Sequence, residues 1–427
     1  MLPRVLAAPA AFGAAAALLA ILAGGPARAV DWSLAGSVSQ RFEASQSPSL
    51  DVDDEEGFAY GSVTSIGAVL GARTTSTDWS LTSSFAVSAF GGEGATDDLT
   101  RSSPSVSGRV THEAPGVTVG ANASFSRRST SFLDLDIDAL LEAIETGELG
   151  ESEAFLIEDD LLLERSSVRT VYRFGGDASM SLTPLDTLGV SADGQVTRFS
   201  GDVNEDEDLV GNSSFGGRLS WGRRLSEISE IGVGLTGRRF TADDPEETAG
   251  FSLSASLSYG TDLSPTLGVS GSAGLGYARQ SEFVETGGAR RRETETDLTF
   301  SGSLGATYRA TEDTVLSLRA SQGVLPSDTG TLRNVTSFGA TLNQALTSLA
   351  NLSVSAQHSL QSDIGSEDGE LEQALFFSPV LSYAFAPQWR ASLGYSLRMI
   401  DDEDGIRFSN RVFLGVTRSL NLFRWAA

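Results

Sequence analysis

Apolar and polar positions alternate with a period of two over most of this chain. Between Gly250 and Gly260, the residues Phe251, Leu253, Ala255, Leu257 and Tyr259 alternate with Ser252, Ser254, Ser256 and Ser258. Successive side chains of a strand point to opposite faces, so the segment predicts a strand with one apolar and one hydroxyl face. The next segment repeats the pattern, with Leu267, Val269, Ala273, Leu275 and Tyr277 against Ser270 and Ser272. Trp389, Ala391, Leu393, Tyr395 and Leu397 alternate with Arg390, Ser392, Ser396 and Arg398, and Trp32, Leu34, Val38 and Phe42 with Ser33, Ser37, Ser39 and Arg41. These runs last ~10–15 residues, against a mode of five or six in globular sheets. They match tilted strands, which need about 9–11 residues to cross hydrocarbon.

The connections between the runs fall into two classes that take turns. Short ones lie at 73–78, 113–116, 184–186, 225–229, 262–265, 310–313, 347–350 and 386–388. Long, acidic ones lie at 46–57, 91–98, 127–165, 201–210, 241–249, 281–293, 325–331, 362–370 and 401–405. The alternation predicts about 18 antiparallel strands closed into a transmembrane barrel, with short periplasmic turns and long extracellular loops. An open sheet edge in lipid would leave N–H and C=O groups without partners, and closure removes the edge. All five tryptophans (Trp32, Trp79, Trp221, Trp389 and Trp425) fall beside short turns or chain ends on one side of this topology, as an interfacial aromatic belt would.

Residues 1–29 read as a cleaved signal peptide. Arg4 supplies the positive start, Val5 to Ala23 is apolar, Gly24, Gly25 and Pro26 break the run, and Ala27-Arg28-Ala29 is a small-x-small cleavage site. The barrel then spans 30–427. The formal net charge of −26 counts against nucleic acid as a partner. Cysteine is absent, as is lysine, and there are two histidines, His112 and His358, both on lipid-facing parity. No nucleophile elbow, P-loop or metal-binding histidine pair is present, so an enzyme is not expected and no cofactor is implied.

The repeated hairpins resemble the porin-like outer-membrane β-barrels of proteobacteria. The resemblance rests on turns such as Leu182-Thr183-Pro184-Leu185-Asp186-Thr187-Leu188 and Leu263-Ser264-Pro265-Thr266-Leu267, on the Trp32-Ser33-Leu34 opening, and on an apolar closing strand from Asn410 to Leu422. It implies a pore or an export-associated barrel in the outer membrane, with lipid, lipopolysaccharide and the barrel-assembly machinery as partners. Many such barrels end on an aromatic that the assembly machinery reads. Here Phe423 and Trp425 come close, and Ala426 and Ala427 follow.

Parity places Arg41, Arg109, Arg169, Arg173, Arg218, Arg238, Arg319, Arg390 and Arg398 opposite the apolar sets, on the lumen wall. They either line a water-filled pore and tune its ion selectivity, or pair with Asp193 and loop carboxylates inside a plugged lumen. Segment 127–165 is the longest connection. Its Leu135, Ile137, Leu140, Leu141 and Ile144 have helical spacing, with Asp134, Asp136, Asp138, Glu142 and Glu145 between them. Such a helix is either a constriction folded into the pore or an external cap. Asp134, Asp136, Asp138 and Glu145 also fall at calcium-loop spacing, but Ala139 stands where the turn needs glycine, so no metal is assigned. The acidic runs 51–56, 202–208 and 401–404 either bridge lipopolysaccharide through divalent ions or keep the loops solvated. The expected function is passage of small solutes or of an exported polysaccharide. The alternative is a non-conducting scaffold or adhesion barrel whose acidic loops bind a ligand. The alternation marks no interface strand, so monomer and trimer both stay open.

Overall fold

In a computed structural model, residues 30–46, 57–92, 100–129, 168–200, 210–286, 289–327, 331–364, 371–402 and 405–426 are described. They form eighteen strands. The first nine are β1 (Asp31–Gln46), β2 (Phe58–Arg73), β3 (Thr77–Gly92), β4 (Thr100–Ala114), β5 (Val117–Ser129), β6 (Val168–Ser181), β7 (Asp186–Ser200), β8 (Asn212–Arg224) and β9 (Ser229–Ala242). The rest are β10 (Ala249–Ser264), β11 (Leu267–Thr286), β12 (Ala289–Thr311), β13 (Thr314–Pro326), β14 (Leu332–Ala345), β15 (Ala350–Asp363), β16 (Glu372–Ala386), β17 (Trp389–Asp402) and β18 (Gly405–Ala426). Each strand pairs antiparallel with its sequence neighbours, and β1 pairs with both β2 and β18 along its whole length. The sheet is therefore a closed barrel with no helix among the described residues.

The faces are inverted relative to a soluble sheet, which buries its apolar side. Phe42, Ile66, Phe85, Phe174, Phe215, Leu257, Leu275, Leu318 and Leu414 all point outward and are exposed. Serines point inward in hydroxyl ladders, as in the Oγ–Oγ contacts Ser39–Ser65 at 2.5 Å, Ser84–Ser105 at 2.7 Å, Ser272–Ser303 at 2.8 Å and Ser321–Ser337 at 2.7 Å. All five tryptophans sit at the short-turn end. Trp32 meets Trp79 edge to face with ring centroids 5.1 Å apart and faces Trp425 across the closing seam. Trp221 and Trp389 lie at the same end of β8 and β17.

One connection read as a loop is instead strand. β11 and β12 run through 281–293 and pair as far as Thr286 and Ala289, leaving two residues between them. Apolar alternation is lost in this stretch, yet cross-strand pairing holds it. Glu285 lies opposite Arg290, and the guanidinium carbons of Arg290 and Arg292 stand 4.7 and 5.5 Å from the Phe283 ring centre.

Candidate functional site: the arginine-bearing interior

The nine arginines selected by parity all lie on the interior-facing register, but their environments differ with height. Toward the short-turn end, Arg109, Arg218, Arg319 and Arg390 are exposed. Toward the long-loop end, Arg41, Arg169 and Arg398 are buried at 5, 4 and 2% exposure. Arg173 and Arg238 lie between and are bonded along the wall. Arg173 Nε donates to Gln195 Oε1 at 2.9 Å, and Arg238 Nη2 donates to Asp193 Oδ2 at 2.7 Å. Interior side chains are thus exposed toward the short-turn side and buried toward the long-loop side.

The packed half contains a charge cluster. Glu43 is buried between two arginines: Arg41 Nε donates to its Oε1 at 2.5 Å and Arg411 Nη1 to its Oε2 at 3.2 Å, while Arg411 Nε also donates to Ser396 Oγ at 3.3 Å. The side chains of Glu43 and Arg411 are fully buried. Apolar groups share this level, namely Phe376 on β16, Ile400 on β17 and Phe413 on β18. The Phe413 ring lies flat over Gly394, where a Cβ would collide with it. Glycine there lets an aromatic ring lie against the wall.

A second packed region crosses the interior. The start of β14 leans inward until Leu332 meets Gly250 on β10, and Leu332 N–H donates to Gln280 Oε1 on β11 at 2.7 Å. Phe240, Ala242, Ala278, Leu332 and Ile364 form one buried apolar cluster there. Asn212 Nδ2 on β8 donates to the Ser327 carbonyl at 3.4 Å, so the end of the β13–β14 hairpin also reaches β8.

Parity reading missed Glu43 and Arg411. Both obey the rule that found the nine. Glu43 is two residues past Arg41, and Arg411 alternates with Val412 and Leu414. Clear apolar alternation in β1 ends at Phe42, and β18 looks apolar throughout, so neither residue stands out in the sequence. His112 and His358 face outward. His112 Nδ1 lies 2.8 Å from Thr77 Oγ1, and His358 stacks on Phe338 with centroids 6.4 Å apart, so neither is part of the interior. Residues Asp134, Asp136, Asp138, Glu142 and Glu145, the signal segment 1–29 and the acidic runs 51–56 and 202–208 lie outside the described residues. Among the described residues no three carboxylate or histidine side chains converge as a metal site.

No family model matches the chain, and no curated protein matches it in sequence. Among solved structures it is similar to the FrpB iron transporter from Neisseria meningitidis, at 10% identity and a TM-score of 0.46, covering 94% of this chain and 83% of that one. It is similar also to the siderophore receptor PirA from Pseudomonas aeruginosa, at 12% identity and 0.39, covering 91% and 80%. OccAB4 from Acinetobacter baumannii matches at 10% identity and 0.43, over 92% and 98%. At these identities and TM-scores, none of them carries a functional assignment over to this chain.

Proposed function

We propose that this chain is an outer-membrane, porin-like channel and not an enzyme, exported by a signal peptide at 1–29 and folded by the barrel-assembly machinery. The observation that carries the reading is the inverted closed barrel, with aliphatic and aromatic side chains outside and hydroxyl, guanidinium and carboxylate groups inside. A bilayer is the solvent that suits such an exterior, and polar solutes suit such an interior. The short-turn end, with its tryptophans, faces the periplasm, and the long loops face outward. Eighteen strands ordinarily leave an aqueous channel, so the open periplasmic vestibule and packed outer half describe an occluded state of a wide pore.

We read the wall as anion-favouring through Arg109, Arg218 and Arg319, with the carboxylates of Asp177, Asp193, Glu230 and Asp262 on the same interior face opposing them. Field lines focus in a narrow pore with low-dielectric walls, so a few arginines at mid-barrel can set the sign of the passing ion despite the chain's net negative charge. Small anionic solutes are the cargo this wall fits best, and an acidic exported polysaccharide shares the same chemistry. The burial of Arg41, Arg398 and Arg411 favours the scaffold reading as the alternative, because a lumen permanently filled at that level would not conduct. Conductance of the purified protein in planar bilayers separates the two. A deletion of residues 135–147 raises it if the acidic segment 127–165 is part of the occlusion. Silence of both proteins would leave the scaffold.

A further inference from the structure

Four arginines point out of the barrel rather than into it. Arg127 on β5, Arg198 on β7, Arg239 on β9 and Arg279 on β11 share the register of the apolar exterior, and all four are exposed. They lie 10, 12, 10 and 12 residues past the strand starts Val117, Asp186, Ser229 and Leu267. At about 3.3 Å per residue and a tilt near 40°, that is roughly 25–30 Å above the short turns, the height at which an apolar band of about 25 Å ends. Below them the outward residues are apolar, with aromatics uppermost: Phe125 against Tyr172 at 5.3 Å and Phe174 against Phe215 at 5.8 Å.

The remaining strands that run in this direction carry no such cation. At the same height, outward positions hold Val87 and Ala89 on β3, Leu360 on β15 and Met399 on β17, and Phe42 with Ala44 on β1, while Val324 on the inward-leaning β13 packs against the interior cluster. The belt therefore covers one sector, β5 to β11. Within it the arginines form two pairs, each flanking one strand. Arg127 and Arg198 both lie opposite Thr170, and Arg239 and Arg279 both lie opposite Phe251. Two strand spacings place each pair about 10 Å apart at the backbone, within reach of one anion for two long side chains. None of the four makes an ion pair with another described residue.

We infer that Arg127 with Arg198, and Arg239 with Arg279, are two clamps for the phosphate groups of lipids in the outer leaflet, with the lipid tails on the apolar band below. The inference rests on the membrane reading given above. A guanidinium fork suits a phosphate bidentately, and its position at the edge of the hydrocarbon leaves a lipid headgroup as the anion held in place there.

The test uses the full-length protein in phosphatidylcholine vesicles with spin-labelled phosphatidic acid or spin-labelled phosphatidylcholine as probe. The motionally restricted fraction gives relative association. The expected preference for phosphatidic acid is about fivefold for each arginine engaged, and high salt weakens it. In R127Q/R198Q/R239Q/R279Q the preference falls to near unity while circular dichroism stays that of the barrel. The two double variants, one per clamp, each lose part of it if the quadruple variant does not fold. Wild-type preference in a folded Gln variant, or no preference in the wild type, overturns the inference. Loss of the preference on adding millimolar inorganic phosphate would assign the clamps to a soluble anion instead. Absence of any restricted lipid would reject membrane insertion itself, a separate outcome.

Discussion

Replacing Glu43 by Gln tests whether the outer half of the lumen is packed protein or water. Glu43 accepts from Arg41 and Arg411, and its side chain is fully buried. Glutamine keeps the shape and one carbonyl acceptor but removes the charge. Hydrogen bonds to a charged acceptor contribute about 1.5–3 kcal/mol and neutral ones about 0.5–1.5, so two bonds lose roughly 2 kcal/mol between them. Two buried guanidiniums then stand with their shared counter-charge gone, and breaking buried pairs costs about 3–5 kcal/mol in total. Other contacts of Arg41 and Arg411 temper this, which places the expected loss at about 2–4 kcal/mol. Urea unfolding from vesicles measures it, and a cycle with Arg411→Gln should show a coupling of about 1–3 kcal/mol. A loss below about 0.5 kcal/mol, the size of an ordinary surface change, would mean that water reaches Glu43 and that the outer lumen is open.

Gly250→Cys with Leu332→Cys, in a chain without native cysteine, should form a disulfide on mild oxidation. A Cβ at Gly250 would stand 3.0 Å from Leu332 Cγ, which keeps the two Cβ atoms near the span of about 3.5–4.5 Å that a disulfide needs. Two free thiols after oxidation would refute the inward lean of the β13–β14 hairpin. Tryptophan fluorescence should be quenched by lipids brominated near the headgroup and much less by mid-chain bromines, because all five rings lie at one end; strong mid-chain quenching contradicts the belt. Glu282, above the apolar band on β11, has its pKa raised, chiefly by burial and then by Glu295, Glu246, Asp244 and Glu293. Its folded state holds the proton more tightly than the unfolded one. The β11–β12 tip is therefore most stable below the usual glutamate range and loosens as pH rises through the raised pKa. Hydrogen exchange at the tip should quicken with pH beyond the intrinsic rate in the wild type, and Glu282→Gln should abolish that excess.

The barrel was legible because its physics is local. One inside and one outside per residue pair, with apolar groups kept on the exterior, writes itself as Ser-Leu-Ser-Leu runs such as 252–258, and the strand count followed from the turns. The β11–β12 overhang was not legible as strand, since beyond the outward apolar band nothing enforces alternation. Backbone pairing and the contacts of Arg290 and Arg292 with the Phe283 ring hold the overhang there. The interior arginines were found by parity, but their burial was not, because burial depends on what crosses the lumen. Leu332 against Gly250, 82 positions apart in sequence, leaves no periodic trace. The outward arginines were equally hidden: Arg127 opens the segment read as the 127–165 loop, and Arg198, Arg239 and Arg279 stand just before segments read as loops at 201–210, 241–249 and 281–293.

Reversal potential in a salt gradient, on single channels of the purified protein, tests the central claim most directly. The arginine-walled channel predicts discrete conductance steps and a reversal potential on the anion side, moving toward zero when Arg109, Arg218 and Arg319 are replaced by Gln together. A membrane-inserted protein that never conducts, in full-length form or with residues 135–147 deleted, or one that conducts with cation preference unaffected by those replacements, would contradict it.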